Sequence, residues 1–332
     1  MKPVATVASA AHPSSPGIAE GQPQRRESGV YSSQGSEPPR APAPQARTFQ
    51  DRYRITGLIG QGGMASVHEA EDLLLGRIVA IKSLPQSRRD DIEARKRLWR
   101  EAQIGSRFDH PNMCPVVDVG TLSDGSPFIA FPRLRGVPFT RYLRDRKALP
   151  VSQLLPLFVQ LLRALHVVHR EGVVHRDVKP ENLFLTSSGA FAPTLRLLDF
   201  GAAFWERDGA PGRAADETIG TTACLAPEQV RGDADVDRRV DIYQAGLVLY
   251  ECMTGAFPFA CGNIAVLLRD IAEGRWIPVA ARADVPEPIE RVIQRALSRD
   301  RDDRFESAEA FETAVVTAAA ESEEQLGGPH SS

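Results

Sequence analysis

His175-Arg176-Asp177-Val178-Lys179-Pro180-Glu181-Asn182, followed further on by Asp199-Phe200-Gly201, decides the reading of this chain. Asp177, Asn182 and Asp199 fall at spacings that let a short loop and the next turn aim oxygens into one site. Such oxygens suit a hard divalent cation and a phosphate. Working outward, Ala226-Pro227-Glu228 follows downstream, and Val79-Ala80-Ile81-Lys82 and a glycine-rich run, Gly60-Gln61-Gly62-Gly63, lie upstream.

In that order and spacing, these motifs resemble the protein kinases, specifically the eukaryotic-like Ser/Thr kinases of bacteria. The resemblance covers roughly residues 53–317. It implies an α+β, two-lobed fold: a small antiparallel sheet with one key helix over 53–134, and a larger, mainly helical lobe over 135–317. Residues 1–48, rich in Pro, Ser and Ala, lack the apolar surface to offset ordering entropy and read as a disordered tail, as does polar 318–332.

Composition sets the outer bounds. The chain has 332 residues, is 42% hydrophobic and 25% charged, and carries a net charge of −3. These are globular proportions, and no basic field favours nucleic acid. Cys114, Cys224, Cys252 and Cys261 form no CxxC pair, so they are expected as reduced thiols in the cytoplasm. A bilayer needs about 20 apolar residues; the best run is taken to be Ala245–Met253, broken by Gly246 and Glu251, and no membrane association is expected.

From Tyr53 the chain reads as short strands, YRITGLIG, ASVHEAED and RIVAIKSL. Gly60, Gly62 and Gly63 sit between the first two and suit a tight hairpin whose amides approach phosphate oxygens. Ala65 stands where the kinase pattern has a third glycine, adding one methyl. A charged helix follows over about 90–108, and 3.6-residue periodicity puts Ala94, Leu98, Glu101, Gly105 and Phe108 on one face. A carboxylate on that apolar face needs a cation, and Lys82 is the expected partner; a surface pairing of Glu101 with an arginine is the plainer alternative. LLPLFVQLLRALHVVH is apolar on nearly every side and reads as a buried helix.

The remaining roles are those the resemblance implies. Asp177 takes or orients the proton of the acceptor hydroxyl, Lys179 neutralises γ-phosphate charge, and Lys82 with Glu101 places the α- and β-phosphates. Asn182 and Asp199 hold Mg²⁺, with Mn²⁺ as an alternative. Phe131 borders the adenine, Pro132 and Leu134 offer hinge backbone groups, and Val67, Ala80 and Phe184 form the apolar slot. Thr221 bonds Asp177 and Lys179. Asp241 accepts from the backbone around His175 and Arg176, and Glu228 pairs with Arg304. Arg176 implies control by a phosphate on the activation segment. Glu217, beside Asp216, either mimics that phosphate or is an exposed loop acid, and Thr218 is a candidate acceptor.

The implied activity is transfer of the ATP γ-phosphate to Ser/Thr hydroxyls of proteins, with autophosphorylation and a signalling role. The alternative is a pseudokinase scaffold of the same fold. Self-association through the smaller lobe is a property of the resembled family, and the resemblance therefore allows a homodimer.

Overall fold

The computed structural model describes residues 48–49, 52–122, 125–187, 192–208, 223–260 and 262–327. The expected tail over residues 1–47, Asp216, Glu217, Thr218, Thr221, Cys261 and the last five residues lie outside these ranges.

Alternation builds the smaller lobe. Strands β1 (Thr48–Phe49), β2 (Tyr53–Gln61), β3 (Ser66–Asp72), β4 (Arg77–Ser83), β5 (Asp118–Thr121) and β6 (Pro127–Pro132) form one antiparallel sheet in the order β1-β2-β3-β4-β6-β5. The pairing of Thr48 with Arg54 puts the end of the expected tail inside the sheet. Along β4, Val79, Ile81 and Ser83 are buried, while Ala80 and Lys82 point to the opposite face. Tyr53, Ala70, Val79, Ile81 and Phe128 form one small core.

The sheet's second core, Leu84 and Ile129 with Ala94, Leu98 and Ala102, receives helix α1 (Ile92–Gly105). Asp91 caps α1 by accepting from the Ala94 N–H at 3.0 Å, which satisfies an orphan donor of the first turn. Glu93 stays outside and pairs with Lys96. Strand β6 ends at Pro132, and the chain leaves the sheet there.

Short strand β7 (Gly136–Pro138) and helix α2 (Phe139–Arg146) open the second lobe. Strand β7 pairs with β9 (Leu183–Thr186), which pairs with β10 (Thr194–Leu197); β8 (Val173–Val174) pairs with β11 (Phe204–Trp205). The rest is helical: α3 (Val151–Arg170), α4 (Pro227–Arg231), α5 (Arg239–Thr254), α6 (Ile264–Glu273), α7 (Glu287–Ala296) and α8 (Ala308–Gly327).

Two expectations are corrected here. Helix α3 is long and apolar enough to cross a membrane by length and composition, contrary to the reading that no run comes close. Its Leu154, Leu157, Phe158, Leu161, Leu162, Leu165 and Val168 are buried in the larger lobe's core, where α3 packs on α5 and α8, and that burial accounts for the apolarity. Helix α8 continues to Gly327, so residues 318–327 are not an unstructured tail. Ala318, Ala319 and Ser322 are buried, extending the apolar stripe of Val315 by another turn.

Candidate active site

The site forms where α1, β4 and the turn after β10 meet. Lys82 Nζ lies 2.7 Å from Glu101 Oε1 and 2.8 Å from Asp199 Oδ1. Burial penalises the ammonium, yet the two carboxylates more than offset it and raise its pKa. Burial pushes the Glu101 carboxyl up to about 7, against the pull of Lys82. Burial also raises Asp199, but the charge and hydrogen bond of Lys82 and the Gly201 N–H hold it at about 2. A single cation is therefore shared between a deeply enclosed carboxylate and one whose side chain is 40% exposed. That exposed carboxylate is the one left to face a ligand.

Sequence dictates how Asp199 is presented. Its φ is +64°, in the left-handed region that non-glycine residues seldom adopt. A hydrogen bond from Gly201 N–H to Oδ1 at 3.0 Å closes the turn. A Cβ at Gly201 would lie 2.9 Å from that same oxygen, so the turn has room for no side chain there. Phe200 anchors it from behind, stacked on Phe108 at 5.2 Å and edge-on to His175 at 5.0 Å.

The catalytic loop is fixed as firmly. Asp177 Oδ1 pairs with Lys179 Nζ at 2.7 Å, and Asn182 Nδ2 donates to Asp177 Oδ2 and to its carbonyl, each at 2.8 Å. Asp241, fully buried in α5, accepts the His175 N–H at 2.8 Å and the Arg176 N–H at 2.7 Å, as expected. Its Oδ2 also meets His169 Nε2 at 2.8 Å, a partner the sequence reading did not name. The signal was present: one histidine in the last turn of an apolar helix.

Strand register assembles the neighbouring surface. Gly60 pairs with Val67, Val67 with Lys82, and Ala80 with Phe131, all in one sheet. The Gly62 N–H donates to the Ala65 carbonyl at 2.9 Å and closes the hairpin. A Cβ at Gly60 or Gly63 would meet nothing within 4 Å, so neither glycine is imposed by its own neighbours. Across the linker, Phe184 of β9 pairs with Pro138 of β7, and Pro132 and Leu134 bracket Arg133, which bonds Glu69 at 2.8 Å. Below the loop, Glu228 and Arg304 form the expected buried bridge through two bonds of 2.7 and 2.8 Å.

The donor set fits a divalent cation shared with phosphate. Asp199 offers a carboxylate, and Asn182, whose Nδ2 is committed to Asp177, offers Oδ1. No group of three His, Cys, Asp or Glu side chains among the described residues could hold a metal by itself. Mg²⁺ characteristically takes one or two protein oxygens and completes its shell with phosphates and water.

Comparison with known proteins decides the family. A profile of the protein kinase domain matches residues 53–316. This chain belongs to the protein kinase family. The serine/threonine-protein kinase pkn3 of Myxococcus xanthus is 35% identical over 271 residues, which is 80% of this chain and 49% of that one. The probable serine/threonine-protein kinase PknB of Lactococcus lactis is 32% identical over 281 residues, 82% of this chain and 42% of that one. The kinase chain thus spans about half the length of the curated relatives it matches. A crystal structure of a mutant PknI kinase domain from Mycobacterium tuberculosis aligns with a TM-score of 0.65 at 27% identity, covering 84% of this kinase and all of that chain. The resemblance is therefore to the bacterial branch of the Ser/Thr kinases, and the two-lobed kinase fold is common to these structures. The family uses ATP and a divalent metal, and its members phosphorylate proteins.

Proposed function

We propose that this chain is an ATP-dependent protein Ser/Thr kinase whose acceptors are protein hydroxyls, itself included, in a cytoplasmic signalling role. The observation that carries the reading is the conjunction of the shared Lys82 cation, joined at once to Glu101 and Asp199, with the Asp177–Lys179–Asn182 cluster. Phosphoryl transfer asks for positioning and charge neutralisation more than covalent chemistry. Lys82 is aligned for phosphate oxygens by Glu101. Asp199 and Asn182 would hold the metal, read as Mg²⁺ with Mn²⁺ as a substitute. When bound, that cation supplies further neutralisation of phosphate charge. Asp177 accepts or orients the hydroxyl proton, and Lys179 sits beside it to meet charge on the transferred group.

Val67, Ala80, Phe131 and Phe184, with the backbone of Pro132 and Leu134, are assigned to the adenine. The strip from Ala223 to Ala226, whose Cys224 lies in the electrostatic reach of Asp177 and Lys179, is assigned to the acceptor peptide. A catalytically silent scaffold would be expected to lose Lys82, Asp177 or Asp199, and all three stand in place. Exposed Leu73, Leu74 and Leu75 at the β3–β4 turn support self-association, to be checked by sedimentation.

The deciding experiment is transfer of labelled γ-phosphate from ATP and Mg²⁺ to the protein itself and to a generic protein acceptor, beside Asp177→Asn. We expect label in the parent and none in the variant. Equal label in both, or none in either despite nucleotide binding, would overturn the reading.

A further inference from the structure

Gln244 stands out among the buried polar side chains because it lies in the apolar helix α5, is 1% exposed, and has no assigned role. Its Oε1 accepts the Val178 N–H at 2.9 Å, and its Nε2 donates to the Arg176 carbonyl at 2.8 Å. Those are the peptide groups on either side of Asp177. The same Nε2 donates to the Cys224 carbonyl at 3.1 Å and lies 3.4 Å from Gln229 Oε1, which itself accepts the Ala226 N–H at 2.9 Å. One primary amide thus spends both donors and an acceptor on two separate backbone segments.

Arg176 gives this arrangement its point. It holds φ +66°, a conformation unfavourable for a residue with a Cβ. Asp241 takes its N–H and Gln244 takes its carbonyl, and these two side chains stand three residues apart, on one face of α5. Such strain persists only where surrounding contacts over-determine it. Asp241 holds one side of the strained residue, and Gln244 the other.

We infer that Gln244 is a positioning residue: it fixes the orientation of Asp177 by clamping the peptide groups that flank it, and it ties that orientation to the strip at Cys224 that leads into α4. The inference rests on the kinase reading above. In it, the hydroxyl's base and the acceptor's seat share one hydrogen-bonding amide, so displacement of either is felt by the other. Gln244 bonds none of Lys82, Glu101 and Asp199, the groups assigned to the nucleotide's phosphates and metal, so nucleotide affinity should change far less than turnover.

The test is Gln244→Leu, which keeps much of the volume and removes every hydrogen bond. Turnover per nucleotide-binding site should fall about 10- to 100-fold, the scale of a small misplacement of a reacting group. KM for the protein acceptor should rise, while nucleotide affinity and binding stoichiometry hold within about two-fold. A residue acting only on stability would lower the number of competent sites and leave turnover per site and both affinities unchanged. Amide hydrogen exchange at Asp177 and Val178 should accelerate about ten-fold or more in the variant. That readout needs no transferase activity, so it separates this inference from the kinase assignment. Parent-like turnover per site with parent-like exchange would overturn the inference, as would a matching loss of nucleotide affinity. If Gln244→Leu does not fold, Gln244→Glu keeps the acceptor for Val178 and loses the donors to Arg176 and Cys224; the same pattern is expected. Failure of both to fold would also overturn it, making Gln244 a residue of the core.

Discussion

At the residue scale, the shared ion triad shows how little side-chain chemistry the site needs and how tightly it is balanced. Burial raises the Glu101 carboxyl to about 7 even with Lys82 at 2.7 Å. Remove that ammonium, and the buried Glu101 carboxyl loses its counter-ion beside Asp199, which keeps only the Gly201 N–H and solvent. Lys82→Met should therefore lower phosphate transfer by about 10²- to 10³-fold, the scale found when one charge-stabilising donor is lost, as measured by steady-state rates with labelled ATP. A variant within three-fold of the parent would refute that role for Lys82. Glu101 and Lys82 were legible from the sequence because a carboxylate on an apolar helical face demands a cation. The partners of His169 and Gln244 were not, because a polar side chain in an apolar helix signals a buried contact without saying whether it meets the Asp241 carboxylate or the backbone at Arg176 and Val178.

At the scale of elements, the start of α4 is pinned by one guanidinium. Arg304 is 2% exposed and directs its donors to both Glu228 oxygens and to the carbonyls of Ser298, Arg239 and Arg299, with its plane near the Tyr243 ring. The pair's attraction is largely spent on desolvation, but leaving one charge alone is costly. Glu228→Ala should lower unfolding free energy by about 3–5 kcal/mol, read from urea denaturation. A loss below about 1 kcal/mol, the worth of an exposed pair, would mean that Arg304 finds another anion or water. Strands β2, β3 and β4 and helix α1 were legible to within a few residues, since alternation and helical periodicity are local signals, whereas β1 and β5 were not. The limits of α8 were not: Ala and Glu in its last turns favour a helix by propensity, but a polar run gives no local sign that Ala318, Ala319 and Ser322 are buried. Helix α3, by contrast, was legible as a buried helix, and its burial in the larger lobe's core bears that out, although its apolar length is equally that of a membrane span.

At the scale of the whole molecule, the nucleotide site takes residues from both lobes, and the Lys82–Asp199 contact is a direct ionic link between them. Ligands that bind only the folded, assembled site stabilise it by mass action, about 2.7 kcal/mol at a hundred-fold excess over Kd. A non-hydrolysable ATP analogue with Mg²⁺ should raise the melting temperature of the parent, and chelation of the metal should remove most of that rise. A rise that persists undiminished in chelator would deny Asp199 and Asn182 their assignment as metal-holding residues. The overall architecture was the most legible feature of all, since motifs scattered between residues 60 and 228 make sense only when brought together by one topology.

The strand that opens the larger lobe, β7, carries a last consequence. At Gly136, φ is +153°, and a Cβ would fall 1.9 Å from the Leu185 carbonyl oxygen and 3.0 Å from Phe184. No rotamer relieves a clash made by the first carbon of a side chain. Position 136 is therefore closed to mutational drift, and among all single-nucleotide changes available to its codon, each that alters the residue must either shift β7 from β9 or be purged. The chain that leaves the sheet at Pro132 thus reaches, four residues on, a position with an alphabet of one letter.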